Sequence, residues 1–364
     1  MKIAQITAAL EEIAPLNLQE SYDNSGLLIG SNDQLINKAL ITLDVTEAVI
    51  DEAISKNCEL IIAHHPMIFK GIKKLTGGNL TERLIVKAIK NDIAVYAIHT
   101  NLDNVSQGVN KKLAEKLGIH NLQILQTGKS ELKKLHVFSP LAHFEKVRTA
   151  MFEAGAGHIG NYSDCSFNTA GSGSFKALSG SDPFVGEQGK LHEEEEIRIE
   201  TIVAAYRVSA VVKAMIKAHP YEEVAYDIYP LSNSDPTTGA GMIGELKQEE
   251  AASVFLKKVK QSLGTPYLRH NPFIQRQVKK VAICGGSGSF LIDAAYRAGA
   301  DIFITGDIKY HDFFEYQDEM TIVDAGHFET EQFTKDLLYD ILKEKFPNFA
   351  LQISGIETNP VSFL

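Results

Sequence analysis

Four short segments place histidine or acidic side chains directly after runs of apolar residues. They read IIAHHP, YAIHTNLDN, FITGDIKYHD and VDAGHFETE. Ligands of open α/β sheets bind at the carboxyl ends of the strands, so polar residues that follow such strands are candidates for one site. The candidate metal ligands are His64, His65, Asp103, His327 and Glu331. Three imidazoles and two carboxylates, without a thiolate, suit Zn, Mn, Fe(II), Co or Ni better than Ca or Mg.

The spacing of these residues is compatible with a shared site. His64 and His65 are adjacent, and both reach one site only where the strand alternation has ended, as Pro66 indicates. His327 and Glu331 are four residues apart at a predicted helix start, so they share a helix face. Binuclear centres hold their ions roughly 3.5–4 Å apart, commonly through a bridging carboxylate, and Glu331 is the predicted bridge.

Each candidate also has an ordinary structural explanation. Many adjacent histidines are surface or core residues, and a His–Glu pair four residues apart is often a solvated helix contact. Asp103 can cap a turn, and His99 can hydrogen-bond a strand end. These explanations account for any one segment more easily than for four segments that follow separate strands. The pattern therefore favours a metal centre.

A glycine-rich turn, CGGSGS, lies between a predicted strand and a predicted helix. Backbone N–H groups at such a turn can bind phosphate. The candidate phosphate-binding residues are Gly285, Gly286, Ser287 and Gly288. A glycine-rich sequence also suits a tight strand–helix turn that binds no ligand, so phosphate binding and a purely structural turn both stay open.

Composition narrows the class of protein. The 364 residues carry a net charge of −10, from 36 Lys and Arg against 46 Asp and Glu, which disfavours generic binding to nucleic acid or an anionic membrane. Three cysteines without a CxxC motif indicate neither a disulfide framework nor a thiolate zinc site. The first residues read as an amphipathic helix, and no apolar run approaches the roughly 20 residues that span a bilayer. We therefore expect a cytoplasmic protein.

The elements that must position the ligands alternate between strand and helix. Apolar runs predict strands at 39–43, 59–63 and 93–98, and again at 278–284, 301–305, 321–325 and 349–354. This rhythm predicts an α/β fold with a largely parallel sheet covered on both faces, and the four polar segments are expected at one rim. A helix is predicted from about Phe328 to Lys345.

The middle of the chain, about 133–231, has a different rhythm. Its β-α-β-β-α-β spacing is typical of ferredoxin-like domains and predicts an α+β insertion. We expect it to interrupt one discontinuous α/β domain formed by 1–132 and 232–364. The segment SNSDPTTGAG (232–241) is predicted to be the linker that leads from the insertion back to the α/β domain.

With these residues assembled, the chain resembles the Nif-three-like family of dinuclear metal proteins, often described as GTP cyclohydrolase 1 type 2 homologues. The resemblance covers about 1–130 and 237–364, and Tyr22 stands where the family commonly has Trp. It rests on SYDNSGLLIG, AHHP, HTNLDN, CGGSGS, TGDIKYHD and GHFETE.

The resemblance implies two divalent ions per chain, with zinc as the expected metal and Fe, Mn, Co or Ni as alternatives. It implies one ion on His64, Asp103 and Glu331, and a second on His65, His327 and Glu331. It also implies a ring-shaped homohexamer whose metal sites face an internal cavity. The segment HPYEEVAYDIYPL resembles the PII-like or CutA-like domain that is inserted in longer bacterial members.

The first functional hypothesis is a metal-dependent hydrolase that acts on a nucleotide or a related heterocycle. A metal lowers the pKa of bound water from about 15.7 toward about 7. His311 is a candidate catalytic proton donor or substrate contact, and His99 is the second candidate. The alternative is a metal-binding regulatory scaffold or metal-handling protein, with the inserted domain as sensor or gate. Nucleic-acid binding through the ring is disfavoured by the net charge of −10.

Overall fold

The computed structural model describes residues 1–128, 131–274 and 276–362. The chain divides into two compact units. The first, here called the core unit, combines Met1–Gly128 with Thr237–Leu364, and the second, the inserted unit, is Lys129–Pro236. All five predicted metal ligands lie in the core unit.

The first sheet of the core unit has the strand order β1-β4-β3-β2-β15. Strand β1 is antiparallel to β4, and the remaining neighbours are parallel. All four residues of β3 are buried, as expected for a sheet covered on both faces. The strands are β1 (Gly26–Ile29), β2 (Lys38–Thr42), β3 (Leu60–Ala63), β4 (Ala94–Ala97) and β15 (Ala350–Ile353).

The second sheet of the core unit has the order β11-β14-β13-β12-β10-β5. Strands β12, β13 and β14 are parallel, and the outer strands pair in antiparallel fashion. The strands are β5 (Ile119–Thr127), β10 (Gly239–Glu250), β11 (Arg269–His270), β12 (Val278–Ser287), β13 (Ile302–Gly306) and β14 (Thr321–Asp324).

Helices bury both faces of each core sheet. Successive strand residues point to opposite faces, so Ile61 packs with α2 and α3 while Ile62 packs with α1 and α11. In the second sheet, α5 and α8 cover one face and α9 the other. The helices are α1 (Ile3–Ile13), α2 (Glu47–Ser55), α3 (Leu80–Lys90), α4 (Thr100–Asp103), α5 (Val109–Leu117), α8 (Ala252–Leu263), α9 (Ile292–Arg297), α10 (His327–Glu331) and α11 (Thr334–Lys345).

The inserted unit is a four-stranded antiparallel sheet with the order β7-β8-β6-β9. Two helices pack on one face through a small core that includes Leu135, Ile199, Met151 and Met215. Its elements are β6 (Glu131–Pro140), α6 (Phe144–Glu153), β7 (Ser166–Lys176), β8 (Leu191–Ala204), α7 (Val208–Ala218) and β9 (Tyr226–Ser234).

Two expectations about the elements were wrong. The four polar segments do not share one rim, because β3 and β4 belong to the first sheet while β13 and β14 belong to the second. The single helix predicted at 328–345 is two helices, α10 and α11, separated at 332–333.

The predicted linker at 232–241 contains the boundary between the two units, at Pro236 and Thr237. It is shorter than predicted, since β9 ends at Ser234 and β10 begins at Gly239.

Across the described ranges, no helix combines the length and the apolar character that crossing a membrane requires.

Replacing a buried strand residue tests the packing of the first sheet. Ile62 is fully buried, whereas Ile89 on α3 is 53% exposed. Ile62→Ala is expected to lower the free energy of unfolding by about 2–5 kcal/mol, because it removes buried methyl groups and leaves a cavity. Ile89→Ala, the matched control, is expected to cost less than about 1 kcal/mol. Urea unfolding followed by circular dichroism measures both, and equal losses would contradict the assigned burial.

Candidate metal centre

The five predicted ligands come from the ends of elements in both core sheets. His64 and His65 directly follow β3, and their ring centroids lie 4.9 Å apart. Asp103 ends α4, the short helix that follows β4. His327 and Glu331 are the first and last residues of α10, which follows β14. The first sheet thus supplies three of these side chains and the second supplies two.

The ligand atoms of these side chains converge on the carboxylate of Glu331. The Nε2 atoms of His65 and His327 lie 3.0 and 3.1 Å from its Oε2. The Nε2 atom of His64 lies 3.8 Å from its Oε1 and 3.6 Å from Oδ1 of Asp103. Two groups of three residues share Glu331, and the ligand atoms within each group lie within 4.8 Å of one another. One group is His64, Asp103 and Glu331, and the other is His65, His327 and Glu331.

Each of the three histidines in these groups is held by a contact at its other ring nitrogen. In the neutral ring an Nδ1–H donor leaves the Nε2 lone pair directed at the cluster, which is the usual arrangement of a metal-binding imidazole. Nδ1 of His64 lies 2.8 Å from the carbonyl oxygen of Ile98. Nδ1 of His65 lies 2.7 Å from Oδ1 of Asp44, and Nδ1 of His327 lies 2.7 Å from Oδ2 of Asp307.

Two of the converging atoms are buried without a hydrogen-bond partner among the residues that the structure describes. They are Nε2 of His64 and Oδ1 of Asp103. His64 is fully buried and Glu331 is 3% exposed. Leaving such an atom unpaired costs roughly 1–3 kcal/mol, and more when the group is charged. A cation bound among these lone pairs removes that cost, so the donor set fits a divalent metal.

The two partly exposed imidazoles bind protons strongly in the absence of an ion. Burial lowers the pKa of His65, but hydrogen bonding to Asp44 and the charge of Glu331 outweigh it and raise the pKa to about 10. The pKa of His327 rises to about 9, because Glu331 and Asp307 outweigh the opposing effect of burial. Positive charge is therefore favoured at this position.

The two carboxylates of the cluster behave in opposite ways. Burial, followed by the negative charge of Glu331, raises the pKa of Asp103 well above its usual range. Burial also acts to raise the pKa of Glu331, but His327, His64 and His65 hold it well below its usual range. The cluster thus balances its charge with shared protons, and metal binding displaces such protons.

The glycine-rich turn lies against this cluster. Strand β12 runs through it to Ser287, so the turn is partly strand. The N–H of Gly285 donates to Oδ1 of Asn110 at 2.9 Å, and the N–H of Gly286 donates to Oγ1 of Thr330 at 3.0 Å. Two of the four amides predicted to bind phosphate are therefore engaged within the protein. Phosphate binding at the turn stays a prediction.

Gly286 has a steric role at the cluster. Its φ is +63°, and a Cβ atom at this position would lie 2.1 Å from Oε1 of Glu331 and 3.2 Å from Nε2 of His327. A side chain there would occupy the space where the ligand atoms converge. Glycine is thus required both by the backbone conformation and by the site.

Of the two predicted catalytic histidines, His99 lies beside the cluster. Its ring centroid is 5.3 Å from those of both His64 and His65. Its Nδ1 lies 2.8 Å from Oδ1 of Asp23, whose other oxygen accepts from Thr100. Burial raises the pKa of Asp23, but these hydrogen bonds outweigh it and lower the pKa. The carboxylate thus fixes the orientation of His99.

The other, His311, is exposed on the 3₁₀-helix Tyr310–Phe314, where its ring contacts those of Tyr310 and Phe314. Its catalytic role stays a prediction. From the same segment it is Asp307 that contacts the cluster, through His327. Sequence reasoning missed Asp307 and Asp44 as orienting residues, although both follow apolar strands as the ligands do.

The fold and the cluster together define an α/β protein with a His/Glu/Asp site that could hold a metal ion. The sequence model of Duf34/NIF3 (NGG1p interacting factor 3) matches residues 1–360. The chain therefore belongs to the Duf34/NIF3 family.

Individual relatives agree with this assignment. A Halalkalibacterium halodurans protein named GTP cyclohydrolase 1 type 2 homolog is 43% identical, with 100% of both chains covered. A Bacillus subtilis protein of the same name is 43% identical over 99% of this chain and 98% of its own. The crystal structure of a Bacillus cereus protein related to NIF3 matches with a TM-score of 0.88 and 41% identity, covering 100% of this chain and 99% of that one.

Replacing Gly286 tests whether the site depends on the space beside Glu331. Gly286→Ala is expected to lower metal content at a fixed free-ion concentration, because the new Cβ displaces the Glu331 carboxylate. It also costs about 1–2 kcal/mol of stability, since φ is +63°. The matched control is Gly299→Ala, where φ is +77° and the nearest atom is 3.9 Å away. Elemental analysis that shows equal metal loss in both variants would contradict the assigned role.

Proposed function

We propose that this chain binds two divalent metal ions through its Glu331-centred cluster and uses them in hydrolysis. The observation that carries the proposal is the convergence of three Nε2 atoms and one Asp oxygen on a single buried carboxylate. One ion is assigned to His64, Asp103 and Glu331, and the other to His65, His327 and Glu331. Zinc is the first candidate, and Fe, Mn, Co and Ni are the alternatives.

The residues around the cluster can supply positioning and proton transfer. A bound divalent ion would provide Lewis acidity and a lowered pKa for coordinated water. His99, held at Nδ1 by Asp23, presents its other ring nitrogen for taking up or delivering a proton. Asp44 and Asp307 keep two of the ligand imidazoles oriented. His311 is retained as a candidate substrate contact.

The proposed substrate is a nucleotide or a related heterocycle. The names of the relatives from Halalkalibacterium halodurans and Bacillus subtilis support this choice. The turn at 285–288 is the candidate phosphate contact through its last two residues, since Gly285 and Gly286 already donate within the protein.

We further infer that the inserted unit is a ferredoxin-like domain of the PII or CutA type. Its β-α-β-β-α-β order and its antiparallel β7-β8-β6-β9 sheet with two helices on one face support this assignment. The ring-shaped homohexamer is likewise a proposal, and sedimentation velocity of the purified chain tests it.

A second function, a metal-binding regulatory scaffold, is favoured by the inserted unit itself. The unit has its own hydrophobic core, and none of the cluster ligands comes from it. In this reading the metal centre is structural and the inserted unit is the sensor or gate.

Removing the proposed bridge tests the dinuclear assignment. Glu331→Gln is expected to lower metal content from about two ions per chain toward zero, because both ligand groups share this carboxylate. Asp103→Asn and His327→Ala should each remove one ion at most. Inductively coupled plasma mass spectrometry on protein purified with added zinc gives the stoichiometry.

Glu329→Gln is the matched control on the same helix. The carboxylate of Glu329 accepts a hydrogen bond from Asn359 at 3.1 Å and belongs to neither ligand group. Metal retained by Glu331→Gln at the wild-type level would refute the bridge. A parallel nucleotide-turnover screen separates the two functions: turnover lost with the metal supports the hydrolase, and two ions without turnover support the scaffold.

A further inference from the structure

The inserted unit contains a cavity of about 810 Å³. This volume falls in the upper part of the roughly 300–1,000 Å³ range of small-molecule sites. The cavity is lined only by residues of the inserted unit, from Phe138 to Ala225. None of the metal-cluster residues contributes to it.

The floor of the cavity is the face of the inserted sheet opposite its helices. Arg198 on β8 is directly opposite Phe138 on β6 and Thr169 on β7, and such pairs share one face of a sheet. Further along, Glu196 is directly opposite Gly171. A Cβ on Gly171 would meet nothing within 4 Å. Gly171 therefore leaves open space above the sheet, whereas a Cβ on Gly173 would lie 2.2 Å from Oε2 of Glu196, so this carboxylate lies against Gly173.

The roof comes from the segment that joins β7 to β8. Leu178, Pro183 and Phe184 line the cavity, and the N–H of Asp182 donates to Glu222 at 2.9 Å, which ties this segment to the loop after α7.

Aromatic rings also line the cavity. The Tyr221 ring centroid lies 6.3 Å from that of Phe175 and 6.2 Å from that of Phe184. Together with Phe138, these rings favour a ligand with an apolar or aromatic body.

Two side chains of opposite charge, Glu196 and Arg198, line the cavity, and the Arg198 side chain is 43% exposed. Glu196 accepts a hydrogen bond from the hydroxyl of Tyr221 at 2.9 Å. Arg198 donates to Glu200 at 2.7 Å, while its Nε is buried without a hydrogen-bond partner in the described part of the chain. Residues two apart on a strand share a face at a spacing of about 7 Å. The pair matches a ligand that carries both an acid and an ammonium group.

We propose that this cavity binds a zwitterionic small molecule with an apolar or aromatic body, of amino-acid or short-peptide chemistry. The ligand carboxylate pairs with Arg198 and the ligand ammonium pairs with Glu196. The body lies against Phe138, Phe175 and Phe184. Lys176, Glu222 and Glu223 add charges of both signs to the lining, which disfavours a ligand of a single charge.

Calorimetric titration of the full-length protein tests this site. The probes are the dipeptide Leu-Phe, phenylalanine, phenethylamine as the ammonium-only analogue and 3-phenylpropionate as the carboxylate-only analogue. At least one zwitterion is expected to bind at least about tenfold more tightly than both singly charged analogues, because each lost charged hydrogen bond costs that much or more. Binding of the dipeptide alone assigns the site to peptides, and binding of phenylalanine assigns it to free amino acids.

Charge variants on β8 locate the site. Arg198→Gln and Glu196→Gln are each expected to weaken binding by about tenfold or more, and Arg198→Lys should weaken it less than Arg198→Gln. Glu195→Gln, on the same strand but outside the cavity lining, should bind as the wild type does. Thermal unfolding confirms that each variant is folded.

Three results would overturn the proposal. They are no binding of either zwitterion up to about 1 mM, equal binding of a singly charged analogue, and wild-type affinity in both folded charge variants.

Discussion

The carboxylate of Glu331 is a buried anion that the fold places among three imidazoles and a second carboxylate. Burying such a charge is costly unless compensating charge surrounds it. The three imidazoles supply that compensation, and the rest of the core unit positions them. Two sheets bring their strand ends to it, Gly286 leaves room for it, and Asp44 and Asp307 hold the imidazoles that face it. The position of one side chain thus explains features of several distant segments.

Much of this arrangement was accessible from the sequence, for identifiable reasons. Metal-binding side chains are polar residues in otherwise apolar surroundings, so His64, His65 and His327 stood out directly after apolar runs. The alternation of strand and helix was clear because buried parallel strands are short and almost wholly apolar. The prediction that His327 and Glu331 share a helix was also correct, because α10 contains both residues although it ends before α11 begins.

Other features could not be read from the pattern. Hydrophobic periodicity reports burial but not strand order, so the division of the core unit into two sheets was missed. The predicted β-α-β-β-α-β spacing implied a strand where β7 lies, but no apolar run marked its bounds, because this stretch is rich in glycine and serine where it borders a cavity. The orienting roles of Asp44 and Asp307 were missed as well. A single carboxylate after a strand has many uses, and only the three-dimensional contact distinguishes them.

The order of the ligands along the chain has a consequence for biosynthesis. His64, His65 and Asp103 are translated early, whereas His327 and Glu331 emerge from the ribosome only after the whole inserted unit has been made. The nascent chain therefore exposes two histidines and an aspartate long before the carboxylate that unites them exists. The complete cluster therefore forms only after residues 327–331 have been synthesised, and until then His64, His65 and Asp103 lack the side chains of α10.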